Sequence, residues 1–361
     1  MQTQPLETPA MANPDVGARV VSDRIALRDM TLPGRPYVTG LSALAGVGMA
    51  ASGDGALWRF DLTGASAAPE RVLDLGAMPL AQAAAPGGGG VIVGTDDGRL
   101  LQVDAGGGKR LLAYQAGGWV EQIAVHGMTG RIACSIGRRL LVLDAAGAVL
   151  SERPDHPSTI AGVAFSDDGG QVAVSHYGGV TVWPTEGANA ISERLEWHGS
   201  HLAIAWSPDG AFIATAMQEK ELHAWRMPQG KSLRMSGYPA KIRSLSWTPD
   251  GRHLAVGGAD VATVWDFGGG APSGKAPMEF GYVFNQVVTE VAANPRSGEI
   301  AAAYDDGAIL IGETSSGDAL IARPGDGAPV TRLAWTPDGA ALVAGAARGG
   351  IAVMRRRDAT V

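Results

Sequence analysis

Cysteine is nearly missing from this 361-residue chain: Cys134 stands alone, so no disulfide can form within it and no CxxC redox or metal motif exists. A lone thiol points to a reducing, cytoplasmic compartment. No apolar run approaches the ~18 residues a membrane helix needs. The opening stretch, MQTQPLETPAMANPDVG, has neither the basic start nor the apolar core of a secretory signal. Charge is sparse, at 18% of residues, and tilted acidic, with 29 Lys and Arg against 36 Asp and Glu for a net −7. That balance argues against nucleic acid and membrane as partners, because both demand a basic surface. The motifs GxSxG, HExxH and SxxK with its partner motifs are absent, which leaves hydrolase chemistry without a nucleophile or metal.

Glycine is what the chain has in excess, 52 residues, roughly double the ordinary share. With 45% apolar residues there is also ample material for a core. Residues 1–15 hold three prolines and little that could pack; they read as a disordered leader, and Met11 could equally be the start. Residues 16–361 read as a single domain.

Self-similarity organises that domain. HLAIAWSPDGAFIATAMQEKELHAWRM (201–227) aligns without a gap with KIRSLSWTPDGRHLAVGGADVATVWDF (241–267), and TIAGVAFSDDGGQVAVSHYGGVTVWPT (159–185) aligns with both. The outline recurs at 330–356 and more loosely at 287–314, 119–145, 80–105 and 38–62, which makes eight copies spaced by 39–46 residues. In chain order they are copies 1 to 8. Each reads as three strands joined by turns such as Thr248 to Gly251, and a shorter run such as RVLDL (71–75) or KSLRM (231–235) supplies a fourth. In the first strand one face is bulky (Leu245 and Trp247, Ile204 and Trp206) and the other small (Ser244 and Ser246, Ala203 and Ala205). A large face can therefore meet a small one across each seam of a ring. ARVVSDRIAL (18–27) has no home in any copy, and the last copy lacks a fourth strand, so the chain ends are expected to meet there.

These residues resemble a WD-repeat β-propeller unit, down to the dipeptide Trp265-Asp266, and the resemblance runs from about residue 38 to 356. It implies an all-β propeller of four-stranded antiparallel blades, eight in number, or seven should residues 38–62 fold otherwise. The departures give it the look of a divergent, bacterial member. Gly237-Tyr238 stands where the family usually has Gly-His, and only Trp183, Trp225 and Trp265 keep the third-strand tryptophan. The resemblance implies a non-enzymatic, monomeric scaffold for protein partners, with no cofactor.

Candidate sites are few. AGGGKR (105–110) lacks the upstream glycine and the Ser or Thr of a phosphate loop, and Asp96-Asp97, Asp167-Asp168 and Asp305-Asp306 do not continue into a calcium loop, so all read as turns. Cys134 reads as a packing residue and Arg355 to Arg357 as a solvated strand end. His198 and His201, with His223, Glu196 and Glu221 in the same copy, make a weak zinc candidate. Glu290 and Arg332 occupy the small-face position, where they would form an inter-blade ion pair or a polar ligand site at the channel mouth. In a WD-like blade, the segment before the first strand and the turn between the second and third strands share one end. That gathers His176, Tyr177, Trp197, His198, His201, Gln218, Glu219, Lys220, Tyr238 and Lys241 into a candidate partner-binding face. The alternatives to a scaffold are a metal-linked accessory, a small-ligand-sensing propeller, or an enzyme working in the central channel.

Overall fold

A computed structural model describes residues 21–64, 68–187, 191–272, 274–281, 283 and 285–357. The leader expected over 1–15 lies outside them, as does the start of the expected closing strand at 18–20. The described chain is almost all strand and turn, arranged as antiparallel sheets whose strands follow in chain order. This is a β-propeller of four-stranded blades. Copy 1 folds like the rest, with Val38–Ala43, Val47–Ser52, Ala56–Asp61 and Glu70–Asp74 as successive strands, so residues 38–62 do not fold otherwise.

Eight blades were expected, with seven as the alternative, and strand pairing gives seven sheets: six of four strands and one of six. The six-stranded sheet holds copies 4 and 5. Its cause is an uninterrupted strand, Glu193–Trp206. The first part of this strand pairs with copy 4 (Val180↔Leu195, Val182↔Glu193) and the second with copy 5 (Ile204↔Thr215, Trp206↔Ile213). The preceding strand, Gln171–Pro184, doubles back on itself, since Thr185 N donates to Gly170 O at 3.0 Å.

Ring closure also differs in place. The last sheet takes its fourth strand from the N-terminal side, but that strand is Ile25–Thr31, further along than 18–27, and pairs antiparallel from Ile25↔Arg356 to Thr31↔Gly350. The physical reason is burial: Ile25 is 1% exposed and packs with the core between copies 7 and 8. On the other side, Thr331 Oγ1 of copy 8 donates to Val38 O of copy 1 at 2.7 Å.

Large and small faces meet as the alternation requires. The Trp247 and Trp335 indoles reach back to the preceding copy, donating to Ala205 O at 3.4 Å and Ala292 O at 3.0 Å. Ser244 and Ser246 look forward, accepting from Val291 N at 3.1 Å and Ala293 N at 2.9 Å of the following copy. The innermost strand of each sheet has a free edge, and these hydroxyls satisfy its donors. Turns are fixed by a repeated hydroxyl–carboxylate bond, as in Ser207 to Asp209 (2.5 Å), Thr248 to Asp250 (2.6 Å) and Thr336 to Asp338 (2.6 Å). The Thr336 hydroxyl holds the exposed Asp338 carboxyl below its usual range.

Candidate functional site

The loops of copies 4 to 6 come together at one end of the sheets through a chain of contacts. Tyr177 N donates to Ser158 Oγ at 2.9 Å, and Tyr177 pairs with Ser200. Ser200 N donates to the Glu219 carboxylate at 3.1 Å, and Lys220 Nζ donates to Pro239 O, beside Tyr238, at 3.0 Å. Tyr177 (64%), His198, Gln218, Glu219, Lys220 and Lys241 are exposed.

The other members of the expected face have structural work, and for them the expectation is corrected. His176 is 5% exposed, with Nδ1 2.9 Å from Tyr177 O and Nε2 2.8 Å from Thr181 Oγ1. His201 is fully buried, with Nε2 3.0 Å from Trp197 O and Nδ1 2.8 Å from Thr215 Oγ1. Tyr238 accepts the Trp265 indole N–H at 2.7 Å and lies 3.2 Å from the Thr263 hydroxyl. It thus stands at the Gly-Tyr position noted in the sequence in place of Gly-His. Burial pushes its phenol above the usual range. In copy 4 the same job falls to His156, which sequence reasoning passed over. Its Nε2 accepts from Trp183 Nε1 at 3.0 Å, and its position 82 residues before Tyr238 matches the offset between Trp183 and Trp265.

Two equivalent recesses flank copy 5. That of copy 4, ≈470 Å³, is lined by Pro157, Tyr177, Arg194, Glu196 and Trp197; that of copy 6, ≈410 Å³, by Pro239, Asp260, Thr263, Pro277 and Glu279. Register makes Arg194 (opposite Thr181) and Glu279 (opposite Thr263) counterparts, so at that position one recess has a guanidinium, balanced by Glu196, and the other a carboxylate beside Asp260. Burial, and then Asp260, raises the Glu279 carboxyl. In copy 5 the Trp197 ring stacks on His223, centroids 4.1 Å apart at 22°. His223 is fully buried, neither ring nitrogen nor Trp197 Nε1 has a hydrogen-bond partner among the described residues, and burial pushes the His223 imidazole down to about 4.

The zinc candidate does not assemble. Both His201 nitrogens are taken, Glu221 is held by Arg234 (Nε to Oε2, 2.8 Å), and among the described residues no three metal-ligating side chains converge. Nor do Glu290 and Arg332 form an ion pair. Glu290 Oε2 accepts from Leu333 N at 2.9 Å, the edge-capping bond Ser244 makes one copy earlier, while Arg332 Nη1 donates to Thr331 O at 2.6 Å. Burial pushes the Glu290 carboxyl up to about 7, against the pull of Arg332 and the Leu333 N–H, although the residue is only half-buried by its exposed surface. Cys134 is buried, its thiol pushed up to about 12, which removes it as a nucleophile near neutral pH.

Comparison with known proteins agrees with this architecture. A family model, the anaphase-promoting complex subunit 4 WD40 domain, matches residues 204–265. WD repeat-containing protein 1 of Gallus gallus is 34% identical over 109 residues, 28% of this chain and 18% of that protein. Telomerase protein component 1 of Rattus norvegicus is 26% identical over 253 residues, 66% of this chain and 9% of that protein. The chain thus spans under a fifth of either relative. Among solved structures, the computationally designed Ika8 protein superposes with a TM-score of 0.72 at 18% identity, over 90% of this chain and 98% of that one. The repeats are of WD type in a propeller. Both named relatives are vertebrate, and nothing in these matches supports the bacterial character expected.

Proposed function

We propose that the chain is a non-enzymatic docking propeller, holding a protein partner on the loop end of copies 4 to 6. The observation that carries this reading is the copy 4 recess. A 64%-exposed Tyr177 stands over Pro157 and Arg194 on a backbone pinned by Ser158, and rigid aromatic anchors beside an arginine are what interfaces use for most of their affinity. The WD-type repeats support the same reading by analogy of fold. The single buried thiol fits a reducing, cytoplasmic compartment, and the pairing of Ile25–Thr31 with Gly350–Arg356 supports reading residues 16–361 as one domain, which we take to be a monomer. We count eight blades, the six-stranded sheet being two. What supports that count is that the first strands of copies 4 and 5 adjoin as those of other neighbouring copies do.

Capture of partners from native lysate by the immobilised chain, followed by mass spectrometry, tests it. Tyr177→Ala and Arg194→Ala should each weaken capture of the recovered partner about fivefold, close to 1 kcal/mol, with melting unchanged. Equal capture by wild type and both variants contradicts this face.

A further inference from the structure

Tyr37, Met78 and Trp119 are 50%, 44% and 58% exposed. Each stands immediately before the first strand of its copy (Val38–Ala43, Pro79–Ala84, Val120–Val125), and each lies 41 residues after the last. The residue that follows, Val38, Pro79 or Val120, is buried, so alternation turns the preceding side chain outward. First strands of neighbouring copies adjoin, which sets the three side chains in an arc on the loop end of copies 1 to 3.

Their backbone is held. Gly53 N donates to Tyr37 O at 2.8 Å, and Met78 is gripped twice by Asp96, N to Oδ1 and Asp96 N to Met78 O, both at 3.0 Å. The turn leading into Trp119 is closed by Gly118 N to Gln115 O at 3.0 Å and anchored by Gln115 N to Gly98 O at 3.0 Å. Side chains presented on fixed backbone lose little freedom on binding.

Hairpin turns fill the gaps. In copy 1, Gly53 bonds Tyr37 on one side, while Gly55 lies so close to Ala77 that a Cβ there would come within 3.0 Å of its carbonyl. In copy 2, Asp96 holds Met78 while Gly98 meets Gln115. The arc therefore runs Tyr37, Asp54, Met78, Asp96, Trp119. Asp97 is paired with Arg99, but neither Asp54 nor Asp96 joins an ion pair among the described residues; Arg35 flanks the outer end.

We propose that Tyr37, Met78 and Trp119 dock an apolar segment of another protein that carries Lys or Arg between its apolar residues. Tyr and Trp are the residue types that anchor interfaces, Met adapts to varied apolar shapes, and the two interposed carboxylates select basic neighbours. A second copy of the chain is disfavoured as occupant, because a two-fold contact would set these carboxylates against themselves on a molecule of net charge −7. The N-terminal side of the chain enters its sheet at Ile25 opposite Arg356, the end of the blade away from the arc. The proposal rests on the docking reading and adds a second sector to it.

Selection of a random peptide library displayed on phage, with the full chain immobilised, is the test. Enriched peptides should alternate apolar residues with Lys or Arg. A synthetic peptide of the leading sequence, followed by fluorescence anisotropy, should lose tenfold or more in affinity to the Tyr37→Ser, Met78→Ser, Trp119→Ser triple variant, and about fivefold to Asp54→Asn with Asp96→Asn, both melting like wild type. Acidic consensus sequences, or affinity kept by the triple variant, overturn the proposal. Affinity lost in Tyr177→Ala but kept in the triple variant overturns it while sparing the face of copies 4 to 6; affinity kept in both overturns both. A dimer seen by sedimentation that the triple variant abolishes would make a second copy the occupant and likewise overturn it.

Discussion

Copies 1 to 3 and copies 4 to 6 present large residues at the same end of the sheets and use them in opposite ways. In copies 4 to 6, with Tyr177 the exception, the aromatic side chains lock the blades: Trp183 on His156, Trp197 on His223, Trp265 on Tyr238. In copies 1 to 3, Tyr37, Met78 and Trp119 leave their side chains in solvent while only their backbone is fixed. A large residue in a loop is thus an anchor for the fold or for a partner according to whether a side chain of its own copy waits to receive it.

Tryptophan replacement should break the two groups apart most sharply. Trp225 is 1% exposed, so Trp225→Ala should cost roughly 3–5 kcal/mol in urea unfolding, while Trp119→Ala should stay within about 0.5 kcal/mol. Similar losses would erase the distinction.

Acid should open the same divide. His156, His176, His201 and His223 are held neutral by burial below their usual pKa, that of His223 at about 4. A depressed imidazole contributes stability above its unfolded value of 6.5 and loses it as pH falls toward the folded value, so His223 alone should forfeit on the order of 2 kcal/mol by pH 5. Hydrogen exchange at pH 5 against pH 7 should show copies 4 and 5 opening before copies 1 and 2. Uniform loss of protection would mean that these histidines do not set the acid limit.

Tyr238→Phe removes the acceptor of the Trp265 N–H and should destabilise by about 1–2 kcal/mol, with the change confined to copy 6 in exchange experiments. Smallest is Tyr37→Ser, expected within about 0.5 kcal/mol because the ring is half in solvent. A larger loss would show that Tyr37 also serves the fold.

Much of this architecture can be read directly. The Thr-Pro-Asp-Gly turns, the Trp-bearing third strands and the alternation of Ser244 and Ser246 with Leu245 and Trp247 name the blade, its seams and its turns, because each is a local rule repeated. What escapes are the choices made between copies. That Glu193–Trp206 runs on from one copy to the next, or that Glu290 caps the edge at Leu333 instead of meeting Arg332, depends on neighbours some 40 residues away. The candidate site is only partly legible for the same reason. Tyr177 and His176 are adjacent, yet alternation exposes one and buries the other against Thr181. The 41-residue spacing of Tyr37, Met78 and Trp119 was visible, but it lay in the copies whose repeat is loosest.

Hydroxyl-radical footprinting with residue-level mass spectrometry measures the contrast directly. Tyr37, Met78 and Trp119 should oxidise at rates near those of the urea-unfolded chain, while Trp225 and Tyr238 should be protected about tenfold or more. Protection of Trp119 equal to that of Trp225 would contradict a free apolar arc on copies 1 to 3.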